Sequence, residues 1–144
     1  MKTKLHLLAV GIFLTALSTG FGQSTFQFSA ATSTVVESAA AVALLVQRLN
    51  FTDTVVSVDY ATADGTATNG LKYTAVSGTL AFGAGETNRT ITVPLLNDGL
   101  VGGVKTFRVS LSNPTNAVLG TRTTVTVSIL DGDKGLHFYV PAIS

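Results

Sequence analysis

The sequence predicts an all-β sandwich of seven antiparallel strands, and three observations carry that expectation. Apolar and polar residues alternate with a period of two through most of the chain after Thr25. The alternating runs are rich in Val, Ile, Thr and Phe, the residues that suit a pleated, half-buried surface. Short clusters of Gly, Asn, Asp and Pro separate them, and short strands at such spacing point to two packed sheets.

The runs occupy 25–36, 41–49, 54–62, 77–82, 88–96, 104–112 and 122–130. The later ones alternate most cleanly. Ile91, Val93 and Leu95 share one face while Thr90, Thr92 and Pro94 share the other. Phe107, Val109 and Leu111 alternate with Arg108 and Ser110, and Val125, Val127 and Ile129 with Thr124, Thr126 and Ser128. One apolar and one polar face is what an antiparallel sheet wetted on one side requires. Pro94 has no N–H to give a ladder, so its strand is expected at an edge or at a bulge. The alanines and leucines of 38–49 would also suit a helix of about three turns. Val42, Leu44 and Val46 alternate, however, and the flanking runs are β, so a strand is expected there.

Residues 1–22 are set apart from the fold. Lys2 and Lys4 precede an apolar run from Leu5 to Leu17, and Gly20-Phe21-Gly22 offers small residues ahead of Gln23. This is the order of a secretory signal peptide, and the run is shorter than the roughly 20 residues a spanning helix needs. The expectation is export to the cell surface or the medium, with no membrane span after the signal is removed. The chain contains no cysteine, which excludes thiolate metal sites, disulfides and cysteine nucleophiles. Lys2 and Lys4 leave with the signal, so seven of nine basic residues remain against eight acidic ones, a formal net charge of −1. No basic patch suggests a nucleic-acid partner.

The placement of the acids says more than their number. If successive strands run antiparallel, their connections alternate between the two poles of the sandwich. Connections 37–40, 63–76 and 97–103 then share one pole with the end of the last strand. Connections 50–53, 83–87 and 113–121 share the other. Glu37, Asp64, Asp98, Asp131 and Asp133 thereby gather at one end, five of the eight acidic residues. Crowded carboxylates repel unless a cation compensates them. Calcium accepts six to eight hard oxygen ligands at variable angles, whereas magnesium demands stricter octahedral geometry, so calcium suits such a cluster better. Asp and Asn are also ordinary turn residues, and Lys72, Lys105 and Lys134 are placed to neutralise the same pole. From the residues alone a cation site and an ion-pair cluster remain open alternatives.

The run Tyr60-Ala61-Thr62-Ala63-Asp64-Gly65-Thr66-Ala67 resembles the aromatic-x-Thr-x-Asp-Gly-Thr-Ala signature of the Calx-beta domain. Further along, Tyr73, the segment from Leu80 to Thr87, Phe107-Arg108-Val109-Ser110-Leu111-Ser112-Asn113-Pro114 and the closing 125–133 follow the same family pattern in order and spacing. The resemblance spans roughly Phe26 to Asp133. It implies an immunoglobulin-like sandwich over 23–134 that binds calcium at one end, with ligands on Glu37, Asp64, Asp98, Asp131 and Asp133. Departures from the pattern are specific. Lys72-Tyr73 stands where the family has Asp-Tyr, Asn97-Asp98 where it has an acid pair, and Gly102-Gly103-Val104-Lys105 where it has glutamates. The implied site is one weak calcium site of the millimolar class.

Catalysis finds little support. One histidine, His137, remains after the signal, no second histidine accompanies it for zinc, and there is no tryptophan platform for a sugar. His137 lies in a tail, 135–144, whose Leu136-His137-Phe138 matches the opening Phe26-Gln27-Phe28 as the stub of a second repeat would. The expectation is an extracellular module for adhesion, spacing or surface display, with calcium, neighbouring repeats or other proteins as partners. The alternative is a metal-free structural or interaction domain carrying a degenerate calcium site.

Overall fold

Nine strands form where the alternating runs predict seven, in the computed structural model, which describes residues 22–133. They are β1 (Ser24–Phe28), β2 (Thr32–Val36), β3 (Ala41–Leu49), β4 (Val56–Asp64), β5 (Ser77–Phe82), β6 (Asn88–Pro94), β7 (Lys105–Thr115), β8 (Ala117–Leu119) and β9 (Thr124–Leu130). A four-stranded sheet in the order β6-β3-β1-β8 packs against a five-stranded sheet in the order β2-β9-β7-β4-β5. Residues 1–21 of the expected signal peptide, Lys134 and the expected C-terminal stub lie outside the described residues.

The run 25–36 is two strands, not one. Ser29 still donates its N–H to the Leu45 carbonyl of β3, but the Ala31 carbonyl accepts from Thr126 of β9. The small residues Ser29-Ala30-Ala31 thus carry the chain from one sheet to the other. β8 is the second addition, three residues long and reached through Asn116 in the left-handed region at φ 56°. Asparagine tolerates that conformation well.

Two pairings also depart from the antiparallel expectation: β1 lies parallel to β8, and β2 parallel to β9. The second of these builds the acidic pole. Val36 sits opposite Leu130 at the ends of two parallel neighbours, and Glu37 donates its N–H to the Leu130 carbonyl at 2.8 Å. Glu37 and Asp131 therefore leave the sheet side by side.

The inward faces agree with the sequence pattern. Val42, Leu44 and Val46 of β3, Ile91 and Val93 of β6, Phe107, Val109 and Leu111 of β7 and Val125, Val127 and Ile129 of β9 are all buried. Phe26 packs on Phe82 across the two sheets, with ring centroids 5.0 Å apart. β6 is an edge strand, which accommodates Pro94.

Candidate functional site: an acidic pole beside a buried ion pair

The long β4–β5 loop is locked down by the Asp-Gly-Thr-Ala run. A Cβ on Gly65 would lie 2.4 Å from the Thr106 carbonyl oxygen, so only glycine fits that close approach. Thr66 Oγ1 accepts from the Thr106 N–H at 2.8 Å, and the Ala67 N–H donates to the Thr106 carbonyl at 2.8 Å. Asp64 Oδ1 accepts from the Asn69 N–H at 2.9 Å and from the Tyr73 hydroxyl at 2.5 Å. Tyr73 is buried and stacks on Phe107, with centroids 4.2 Å apart. Burial, and then the bond to Asp64, push its phenol up to about 12. The motif thus fastens the loop to β7.

That fastening aims Lys72. Its backbone N–H donates to the Thr68 carbonyl, and its carbonyl accepts from the Leu96 N–H. Its ammonium reaches Glu37 Oε1 at 2.7 Å and Asp98 Oδ2 at 2.8 Å. Hydrogen bonds from the ammonium to Asp98 and then to Glu37 raise the lysine's affinity for its proton. The same ammonium holds the Asp98 carboxyl below the usual carboxylate range. Glu37 is 2% exposed, and its Oε1 accepts the Asp98 N–H as well.

Asp131 and Asp133 also stand close to Glu37. Each of the three residues offers one carboxylate oxygen, and these oxygens lie within 4.8 Å of one another. Asp131 accepts the N–H of Gly102 on Oδ2 and that of Asp133 on Oδ1. The two N–H groups, Gly102 first, hold its carboxyl below the usual range. A backbone N–H from Gly102 thus stabilises the Asp131 carboxylate. Asp133 Oδ2 is buried with no hydrogen-bond partner among the described residues. Glu37, Asp98, Asp131 and Asp133 together have one ammonium within ion-pair distance among the described residues, that of Lys72.

This donor set fits a calcium ion. Two oxygens sharing a calcium at about 2.4 Å lie up to about 4.8 Å apart, and the ion accepts carboxylates together with waters and carbonyls. The orphaned Asp133 oxygen would gain the partner that a buried anion needs. Magnesium, at about 2.0–2.1 Å, would require the carboxylates to close in further.

All five acids expected at the pole lie on elements that meet there, but they do different work. Glu37, Asp131 and Asp133 form the cluster, Asp98 shares Lys72 with Glu37, and Asp64 serves Tyr73 and the loop. Of the lysines expected to neutralise them, Lys72 does so, and Lys105 makes no ion pair among the described residues. Arg48, 2% exposed at the opposite pole, was not among the residues expected to matter. Its signal was available, since 42, 44, 46 and 48 share the inward face of one strand.

A two-sheet sandwich with acids gathered at one pole defines the class, and comparison with known proteins gives the family. The chain belongs to the Calx-beta domain family, whose model matches residues 22–133. Sodium/calcium exchanger 1 of Felis catus is 34% identical over 133 residues, covering 78% of this chain and 13% of that protein. The same protein of Bos taurus is equally similar. The chain therefore spans only about an eighth of these relatives. The apo-form Calx CBD1 domain superposes with a TM-score of 0.75 at 29% identity, covering 78% of this chain and all of that one. The calcium binding domain CBD12 of CALX1.1 gives a TM-score of 0.73 at 29% identity, covering 75% of this chain and 44% of its own.

Proposed function

We propose that this is a calcium-binding Calx-beta module of an exported protein, used for adhesion, spacing or surface display. Its cation is held between Glu37, Asp131 and Asp133. The observation that carries the reading is the buried, partnerless Oδ2 of Asp133 within that trio of carboxylates. With only three carboxylates, water and carbonyl oxygens complete the shell, which places affinity in the weak, extracellular range of about 10⁻⁴–10⁻³ M. Binding ties the β2–β3 connection to the segment after β9, and so stiffens the pole from which a neighbouring repeat would continue. Likeness to the calcium binding domain CBD12 of CALX1.1 supports the calcium reading, and the apolar run at 5–17 supports export.

A ligand that binds only the folded state raises stability by RT ln(1 + [L]/Kd). Several millimolar calcium is therefore expected to raise the unfolding midpoint over that in chelator, by the equivalent of about 1.4 kcal/mol at ten times a weak Kd. Magnesium at the same concentration is expected to do less. A midpoint that calcium and chelator leave unmoved would favour the metal-free reading, for which the Lys72 ion pairs supply the counter-charge.

A further inference from the structure

Lys72 is not an ordinary surface lysine. Its side chain is 14% exposed, and its ammonium lies 2.7 Å from a glutamate oxygen that is itself buried. The backbone that carries it is pinned on both sides, by Thr68 and by Leu96, and the next residue is the buried, stacked Tyr73. The ammonium is thus delivered to a fixed point between Glu37 and Asp98. A long, flexible side chain would not be held there by a solvent-exposed ion pair alone, because such pairs are worth little.

We propose that Lys72 is a tethered cation: its ammonium permanently fills the Glu37–Asp98 half of the acidic pole, so that one exchangeable divalent site remains beside it. This rests on the reading that Glu37, Asp131 and Asp133 hold calcium. Two consequences follow from the geometry. Glu37 Oε1 is fixed by Lys72 and by the Asp98 N–H, so one wall of the calcium site is already in place before the ion arrives. The pole also keeps part of its charge balance when no ion is bound. Without the ammonium, Glu37 and Asp98 would face each other with no cation between them, and a second divalent ion would have carboxylates from two separate loops to enter on.

Calorimetric titration of calcium into the wild-type chain and into Lys72→Gln tests this. One ion per chain is expected for wild type and two for Lys72→Gln, with the second lost again in Lys72→Gln/Asp98→Asn. One ion in both proteins overturns the tethered cation and leaves the calcium reading standing. Binding to Lys72→Gln alone sinks the wild-type calcium reading, while showing that the ammonium blocks the pole. Binding to neither overturns both. Should Lys72→Gln not fold, ¹⁵N-lysine NMR of the wild type decides the matter. The Lys72 ammonium signal is expected to stay protected from solvent exchange from calcium-free to calcium-saturated protein, and its loss on saturation overturns the proposal.

Discussion

Arg48→Met is expected to lower the stability of the domain by about 3 kcal/mol, among the larger effects a single substitution produces. The guanidinium is buried at the pole opposite the acids and spends its donors on four acceptors. Nε donates to Ser24 Oγ at 3.0 Å, Nη1 to the Gly83 carbonyl at 3.0 Å, and Nη2 to the carbonyls of Phe51 at 3.0 Å and Thr54 at 2.8 Å. It therefore ties the start of β1, the end of β3, the β3–β4 connection and the β5–β6 turn together. Methionine fills similar space but donates nothing. Each buried acceptor left without a partner costs about 1–3 kcal/mol, partly offset because a buried charge no longer has to be desolvated. Urea denaturation measures the difference. A loss within about 0.5 kcal/mol would mean that water replaces the guanidinium and that the hub is dispensable.

Glu37→Gln is expected to remove most of the calcium response while leaving the fold intact. Glutamine keeps an oxygen for Lys72 and the Asp98 N–H, but it takes one of three charges from the cation cluster. The calcium affinity is expected to fall at least about tenfold, or 1.4 kcal/mol. The calcium-free protein loses less, about 1 kcal/mol, because glutamine still accepts from Lys72 and the Asp98 N–H and Lys72 retains Asp98. Asp64→Asn is the matching control. Asp64 Oδ1 is committed to Tyr73 and Asn69, so this variant should unfold earlier yet keep its calcium shift. A shift that survives Glu37→Gln but not Asp64→Asn would move the ion to the β4–β5 loop.

Much of the fold was legible because a period of two in the sequence is a direct record of which side chains a sheet buries. The inward residues of β3, β6, β7 and β9 were found this way, while the missing N–H of Pro94 left its strand an edge or a bulge, of which the fold has the edge. Alternation cannot say which sheet a strand joins. At Ser29-Ala30-Ala31 the inward face slips by one residue, from Phe26 and Phe28 before the break to Val35 after it, and the small and polar residues of 29–34 carry too little apolar contrast to record the slip, so the two strands read as one. β8, with three residues, is too short to alternate at all. The acidic pole followed from strand parity, but the parallel pairing of β2 with β9, which sets Glu37 beside Asp131, did not. The division of labour among the acids depended on contacts far apart in sequence. Tyr73 claims Asp64, Lys72 claims Asp98, and a glycine N–H steadies Asp131.

The position of the bound ion is the most direct measurement of the central claim. In crystals soaked in saturating calcium, anomalous scattering should show one peak bounded by carboxylate oxygens of Glu37, Asp131 and Asp133, at about 2.3–2.6 Å from each. Asp133 Oδ2 would then have its missing partner, and Lys72 would still lie against Glu37 and Asp98. No peak at that pole, or one seated instead on Asp53, Asp59 or Glu86, would contradict the account.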